Sequence, residues 1–446
     1  MKKQIVLAAS GLMLSAGASA MAANPDVVLC QLYNFSQAST DGSVRGMSVA
    51  TTSWNIGDAD LQWFQNPNSQ HPFIAMNMYR MKNDRMEMLG TSWVKHGFFA
   101  LSNLQCDLPN LPNCVFEPGH SGGSYLGQGC TDTYSAGLND SGLGPRFEIN
   151  PWTGAFSYST SIMNTGVGYP SSTKQQIRVE DADMNPTLNA GATYYFQGYY
   201  VHFNDTNHMN SAAWKQCTPV RSGSGNYTFT QSGSGTQPTW GFAIDAWSGA
   251  SQTVIAEQLP VVELVSPDGR CILAYKVTDN GNGTWHYEYA LLNVDMDRQV
   301  DEFAISSRGR EHHQHRLPCP GPHRSHARGS AAQHRQRAVE RRRLRRRFAT
   351  TPTPSAGAPC NFRFGCGSAS TNVDATVGLF LPYPGRPDTL PAATQGLSVP
   401  TPSCDGDINN LSDRRRRPQP DPLRLRRQCR HRRPPRHRQQ RRHRRC

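Results

Sequence analysis

ATYYFQGYYVHF, residues Ala192–Phe203, is the stretch that decides the fold. Aromatic and β-branched residues fill it, and its aromatic residues are shared between two faces, which reads as one long strand. Working outward, Asp26–Phe35, Gly46–Asn55 and Ala59–Phe64 are short runs of the same composition separated by Ser, Gly, Asp and Asn clusters. Phe73–Met81 and Arg85–Val94 flank Lys82-Asn83-Asp84 and read as a hairpin, as do Ile272–Thr278 and Thr284–Leu292 around Asp279-Asn280-Gly281-Asn282-Gly283. Apolar residues nowhere recur convincingly at helical spacing. The expectation is an all-β fold, sandwich or jelly-roll-like, in one large or two smaller domains. Ser222–Gly235 (SGSGNYTFTQSGSG) has the composition of a flexible surface loop.

The N-terminus has the three parts of an export signal. Lys2 and Lys3 supply charge, Ile5–Leu14 an apolar run, and Ala18-Ser19-Ala20 or Ala20-Met21-Ala22 the small residues of a cleavage site. The apolar run is too short for a membrane span, which takes about 20 residues. Residues 1–22 are therefore read as a signal peptide, and the remainder as secreted, cell-surface or periplasmic. Cys30, Cys106, Cys114, Cys130, Cys217 and Cys271 then suggest up to three disulfides, with Cys106–Cys114 or Cys114–Cys130 as a local staple. The spacings fit no zinc ribbon.

The net charge of +13 conceals two compositions. Residues 1–305 hold 15 Lys and Arg against 25 Asp and Glu, whereas residues 306–446 hold 31 basic residues, all Arg, against 8 acidic ones. A tract selected for phosphate binding would mix Lys with Arg. A GC-rich gene read in a shifted frame turns Asp, Gly and Val codons into Arg, Pro and His codons. Chosen codons for Thr351–Cys360 (TPTPSAGAPC), read two bases on, encode PNAKRWGTL, leading into the ordinary NFRF of Asn361–Phe364. The chain is thus divided into the signal peptide, a β-rich domain over 24–305, an anomalous Arg/His/Pro-rich segment over 306–360, a strand-like remnant of the same β domain over 361–400 that includes Ala375–Leu381, and a disrupted, Arg-rich tail over 401–446. The Arg-rich C-terminal part is expected to be disordered, and nucleic-acid binding is not assigned to it.

Two clusters carry candidate chemistry. Gly119-His120-Ser121-Gly122-Gly123 matches G-x-S-x-G, but it lies in a Cys/Gly/Pro-rich loop rather than at a strand-to-helix elbow, so a disulfide-bounded loop is the better reading. Glu180, Asp181 and Asp183 with His202, Asp205 and His208 offer carboxylates and imidazoles suited to a metal or to glycoside hydrolysis, provided that they converge within about 10 Å. Eight Trp residues, Trp152 and Trp240 among them, and Tyr194, Tyr195, Tyr199 and Tyr200 are mostly core in a β domain, with any exposed Trp available for stacking on sugars.

Cys404-Asp405-Gly406-Asp407-Ile408-Asn409-Asn410 resembles the opening of the calcium loop in dockerin-like, EF-hand-related repeats. The resemblance implies Asp407 and Asn409 as the first two metal ligands, since Ca²⁺ takes oxygens at alternate positions. After Asn410 the Gly, the Val and the last acidic ligand of the pattern are absent, so residues 401–446 read as a disrupted dockerin-like repeat with an Arg-rich tail. Ca²⁺ is implied only for an intact repeat, and no other cofactor is expected. TSWVKHGFFAL (Thr91–Leu101), YSAGLNDSGLGPRFEIN (Tyr134–Asn150) and VTDNGNGTWHYEYALLN (Val277–Asn293) resemble exported bacterial β-rich proteins of uncharacterised function that carry such a repeat. Dockerin-like repeats attach proteins to extracellular assemblies, so the resemblance implies a location and a docking role but no reaction. The expected function is that of a secreted, non-catalytic surface or extracellular-matrix protein, with an extracellular docking partner or a glycan as its ligand. A polysaccharide-associated hydrolase or carbohydrate-binding module is the alternative.

Overall fold

The structure, a computed structural model, describes residues 24–106, 112–165, 173, 175–233, 235–256, 269–305, 315–318, 359–367, 369–381, 383–398 and 404–407. Strands dominate, as the sequence leads one to expect, and the helices are single turns such as Ile162–Thr165 and Asp181–Met184. Every strand pair among the described residues is antiparallel, in one large sheet, a five-stranded sheet, a four-stranded sheet and a two-stranded ribbon.

The large sheet runs Ile177–Glu180, Val44–Asn55, Val27–Asp41, Tyr227–Gln231, Ala212–Arg221, Thr193–Val201, Phe73–Lys82, Val94–His96 and Leu143–Gly144. Val27–Asp41 slips register against its partner three times, and each bulge bends the pair, so the sheet curls into a half-barrel around a core of Val27, Leu29, Met47, Ile74 and Met76. Asn83 and Asp84 both take positive φ, as a two-residue hairpin turn demands, and connect Phe73–Lys82 to Arg85–Thr91. Ser222–Gly235 contains a strand rather than forming only a loop. Tyr227–Gln231 pairs with Ala212–Arg221, because Tyr227 of its alternating YTFTQ faces the core while Thr228 and Thr230 face solvent.

Period-2 alternation organises the rest into layers. Tyr194, Phe196 and Tyr200 enter the half-barrel core, whereas Tyr195, Tyr199 and Val201 face the five-stranded sheet. That sheet runs Ser251–Ala256, Arg270–Asp279, Trp285–Asn293, Pro359–Cys366 and Cys404–Asp407. Ile272, Ala274, Ala290 and Leu292 pack on the half-barrel, while Leu273, Tyr287, Tyr289 and Leu291 pack on the four-stranded sheet. The latter runs His315–Pro318, Val300–Ile305, Ser370–Leu379 and Thr389–Leu397. The expected sandwich is therefore the C-terminal half of the fold, and a curled sheet is the N-terminal half.

Two disulfides form, Cys30–Cys106 and Cys114–Cys130, and Cys366 is also disulfide-bonded. Cys217 and Cys271 are instead buried thiols, inside the half-barrel core and the sandwich core respectively. Among the described residues no helix is long and apolar enough to cross a membrane. The signal-peptide region, residues 1–22, and nearly all of the Arg-rich segments lie outside the described residues.

Candidate functional site

The acidic and imidazole residues grouped in the sequence are separated by the fold. Asp183 lies at the Tyr194 end of the Thr193–Val201 strand, where its carbonyl accepts the Tyr194 hydroxyl, and His202 follows the other end. Nine residues of strand put the two ends roughly 25 Å apart, well beyond the reach of a shared metal or an acid pair. The acids at the first end have their own partners. Ser43 donates to Glu180, and Arg80 pairs with Asp183. Burial pushes the Asp181 carboxyl up, but bonds from Arg221 and Tyr227 and the charge of Arg45 outweigh it and hold it below its ordinary value. Among the described residues no group of three His, Cys, Asp or Glu side chains is placed to hold a metal.

At the other end, His202 is fully buried, and burial lowers its pKa to about 3. Its Nε2 donates to the Gln62 carbonyl and its Nδ1 accepts the Asn204 amide, so both nitrogens serve the fold. Asp205 and His208 belong instead to a pocket of about 260 Å³ at the joint between half-barrel and sandwich, lined also by Trp152, Phe203, Thr206 and Arg270. Gly154, at φ 65°, places its Cα where a methyl would lie 2.7 Å from the Phe203 backbone, so glycine permits this wall.

The joint is held by charge. The buried Asp295 carboxylate accepts His208 Nδ1 at 3.1 Å and Arg270 at 2.7 Å, while His208 Nε2 faces the Asp205 carbonyl at 3.1 Å. The Arg270 guanidinium lies 4.9 Å above the Trp152 ring. Asp205 accepts Ser211 at 2.6 Å and the Asn207 amide, yet burial still raises its pKa to about 6. Asp26, bonded by Asn210, is raised for the same reason. Sequence reading singled out Trp152, Asp205 and His208. It missed Arg270 and Asp295, whose bonds to this end span long sequence separations and leave no local pattern.

His120 in the Gly119–Gly123 loop donates Nδ1–H to the buried Asp60 carboxylate at 3.0 Å and stacks on Tyr125. Asp60 also accepts the Glu117 amide. Among the described residues no hydrogen bond joins the Ser121 hydroxyl to this imidazole. The pair pins a disulfide-bounded loop, which agrees with the loop reading. Of the residues implied as calcium ligands, Asp407 ends the Cys404–Asp407 strand opposite Arg363, and Asn409 lies outside the described residues.

Fold and site together define an all-β, disulfide-stapled protein with a polar pocket between a half-barrel and a sandwich. No family model matches the chain, and no curated protein matches it.

Proposed function

We propose that this is an exported, non-catalytic surface or matrix protein whose joint pocket holds a polyhydroxylated ligand of the saccharide class. The observation that carries the reading is the convergence of Trp152 with Asp205, Thr206, His208 and Arg270 on one open cavity. An aromatic ring beside charged donors and acceptors is the inventory that a sugar face and its hydroxyls require. The way the acids are used supports the non-catalytic reading. Asp205 and Asp295 are bound by hydrogen bonds from their own chain, and the other acidic group stands at the far end of the strand. The disulfides suit the oxidising compartment implied by the N-terminal segment. A calcium-dependent docking role is not included, because the repeat is incomplete after Asn410.

Affinity electrophoresis through gels cast with soluble polysaccharides tests the reading. The protein should be retarded by at least one of them, and Trp152→Ala should remove the retardation with an unchanged far-ultraviolet spectrum. Equal mobility in every gel would refute binding. Release of reducing ends from any of the same polysaccharides would refute the absence of catalysis.

A further inference from the structure

A second place in the half-barrel has the makings of a ligand site that the pocket does not explain. His71 and His96 are buried side by side, with His71 Nε2 facing His96 Nδ1 at 3.0 Å. Their hydrogen bonds fix both tautomers. His71 Nδ1 faces the Phe64 carbonyl at 3.0 Å, which can only accept, so that nitrogen carries the proton and His71 Nε2 carries a lone pair. His96 Nδ1 must then be the donor between the rings. A neutral His96 is left with its Nε2 lone pair pointing away from the relay, in a buried position with no hydrogen-bond partner among the described residues.

An orphaned buried acceptor is costly unless something meets it. Gly144 and Met163 lie next to it. A methyl built on Gly144 would be 2.5 Å from His96 Nε2 and 3.0 Å from the Met163 Sδ, so nitrogen and sulfur both lie close to Gly144 and are at most about 5.5 Å apart. Phe73 and Phe156 pack edge-on against the His96 ring. Burial keeps both imidazoles neutral, with His71 lowered to about 4 and His96 lowered well below its ordinary value.

We propose that His96 Nε2 and Met163 Sδ form a two-coordinate site for a soft monovalent cation, Cu(I). An imidazole whose other nitrogen donates into a fixed relay, here through His71 to the Phe64 carbonyl, is the oriented arrangement of a metal-bound histidine. The thioether selects a soft ion, and with no group of three His, Cys, Asp or Glu nearby among the described residues, zinc lacks its usual tetrahedral set. A bent or linear N–Cu–S bridge spans on the order of 4 Å, within the limit set by Gly144. Gly144 has no side chain to come between the two atoms, and Phe73 and Phe156 pack against the His96 ring. The site is separate from the joint pocket and does not depend on the saccharide reading.

The test is anaerobic titration of the full chain with Cu(I) buffered by a chromophoric chelator, comparing wild type with Met163→Leu, a change that keeps volume and removes the sulfur. Wild type should withdraw one more Cu(I) from the chelator than the variant, with at least a tenfold difference in affinity for that ion. X-ray absorption at the copper edge should show one nitrogen and one sulfur neighbour. Gly144→Ala, which sets a methyl against both ligand atoms, should abolish the same binding event. If Met163→Leu binds Cu(I) as the wild type does, within twofold, or if the copper sees no sulfur, the proposal is overturned.

Discussion

Replacing Asp205 by Asn should make the protein's stability respond differently to pH. Asp205 is 7% exposed, and burial raises its pKa from 3.8 to about 6. The folded state therefore holds a proton that the unfolded chain releases between these two values. Its contribution favours folding most below about pH 4 and is lost as pH rises through 6, a change of about 3 kcal/mol. Asn cannot ionise, so the variant escapes this loss, whatever constant penalty it suffers at Ser211 and the Asn207 amide. His71 and His202, buried and neutral, pull the other way by resisting protonation in acid, but they do so equally in both proteins. Urea unfolding followed by Trp fluorescence at pH 4 and pH 7.5 gives the stability difference between variant and wild type. That difference should move in favour of Asp205→Asn by about 2.4 kcal/mol on going from pH 4, where the unfolded carboxyl is already partly ionised, to pH 7.5. The same difference at both pH values, within about 0.5 kcal/mol, would show that the carboxyl is not desolvated at this joint.

Three further outcomes follow from the packing. Replacing Cys30 and Cys106 by Ala opens a link across 76 residues and should cost roughly 2–5 kcal/mol, read as a lower urea midpoint under non-reducing conditions, while Cys217→Ala should leave the count of disulfides unchanged. Gly154→Ala forces a methyl against the Phe203 backbone at a positive φ and should cost about 1–3 kcal/mol in the same assay. Ending the chain at Ile305 removes Phe362 and Phe364, which stack on Phe303 and Tyr287. The truncated protein should bind a hydrophobic dye and lose cooperative unfolding of its sandwich half; unchanged cooperativity would refute the three-layer packing.

Local pattern made the strands and two hairpins legible, because alternation and turn residues act over a few positions. Asn83-Asp84 and the Gly281–Gly283 loop close their hairpins where the sequence places them. Tyr227–Gln231 was hidden by the Ser/Gly residues on either side, although its own alternation is the signal that defines it. The grouping of Glu180 and Asp183 with His202 and His208 failed for a different reason. Their closeness within 29 residues of sequence suggested one cluster, but the extended Thr193–Val201 strand lies between them and carries its ends apart. Arg270 and Asp295 could not be found at all, since a contact between two units depends on how sheets stack and not on any spacing within one of them.

The composition changes near residue 306, and the strand pairing continues across the change. Trp285–Asn293 is matched by Pro359–Cys366 over eight registered positions, and Val300–Ile305 by Ser370–Leu379. Both faces of the five-stranded sheet are apolar, so this sheet needs the four-stranded sheet on one side as much as it needs the half-barrel on the other. Residues after 358 thus complete the layer whose other face carries Arg270 to Trp152 and the pocket. Whatever is encoded between residues 306 and 358, the site at the joint rests on strands from both sides of it.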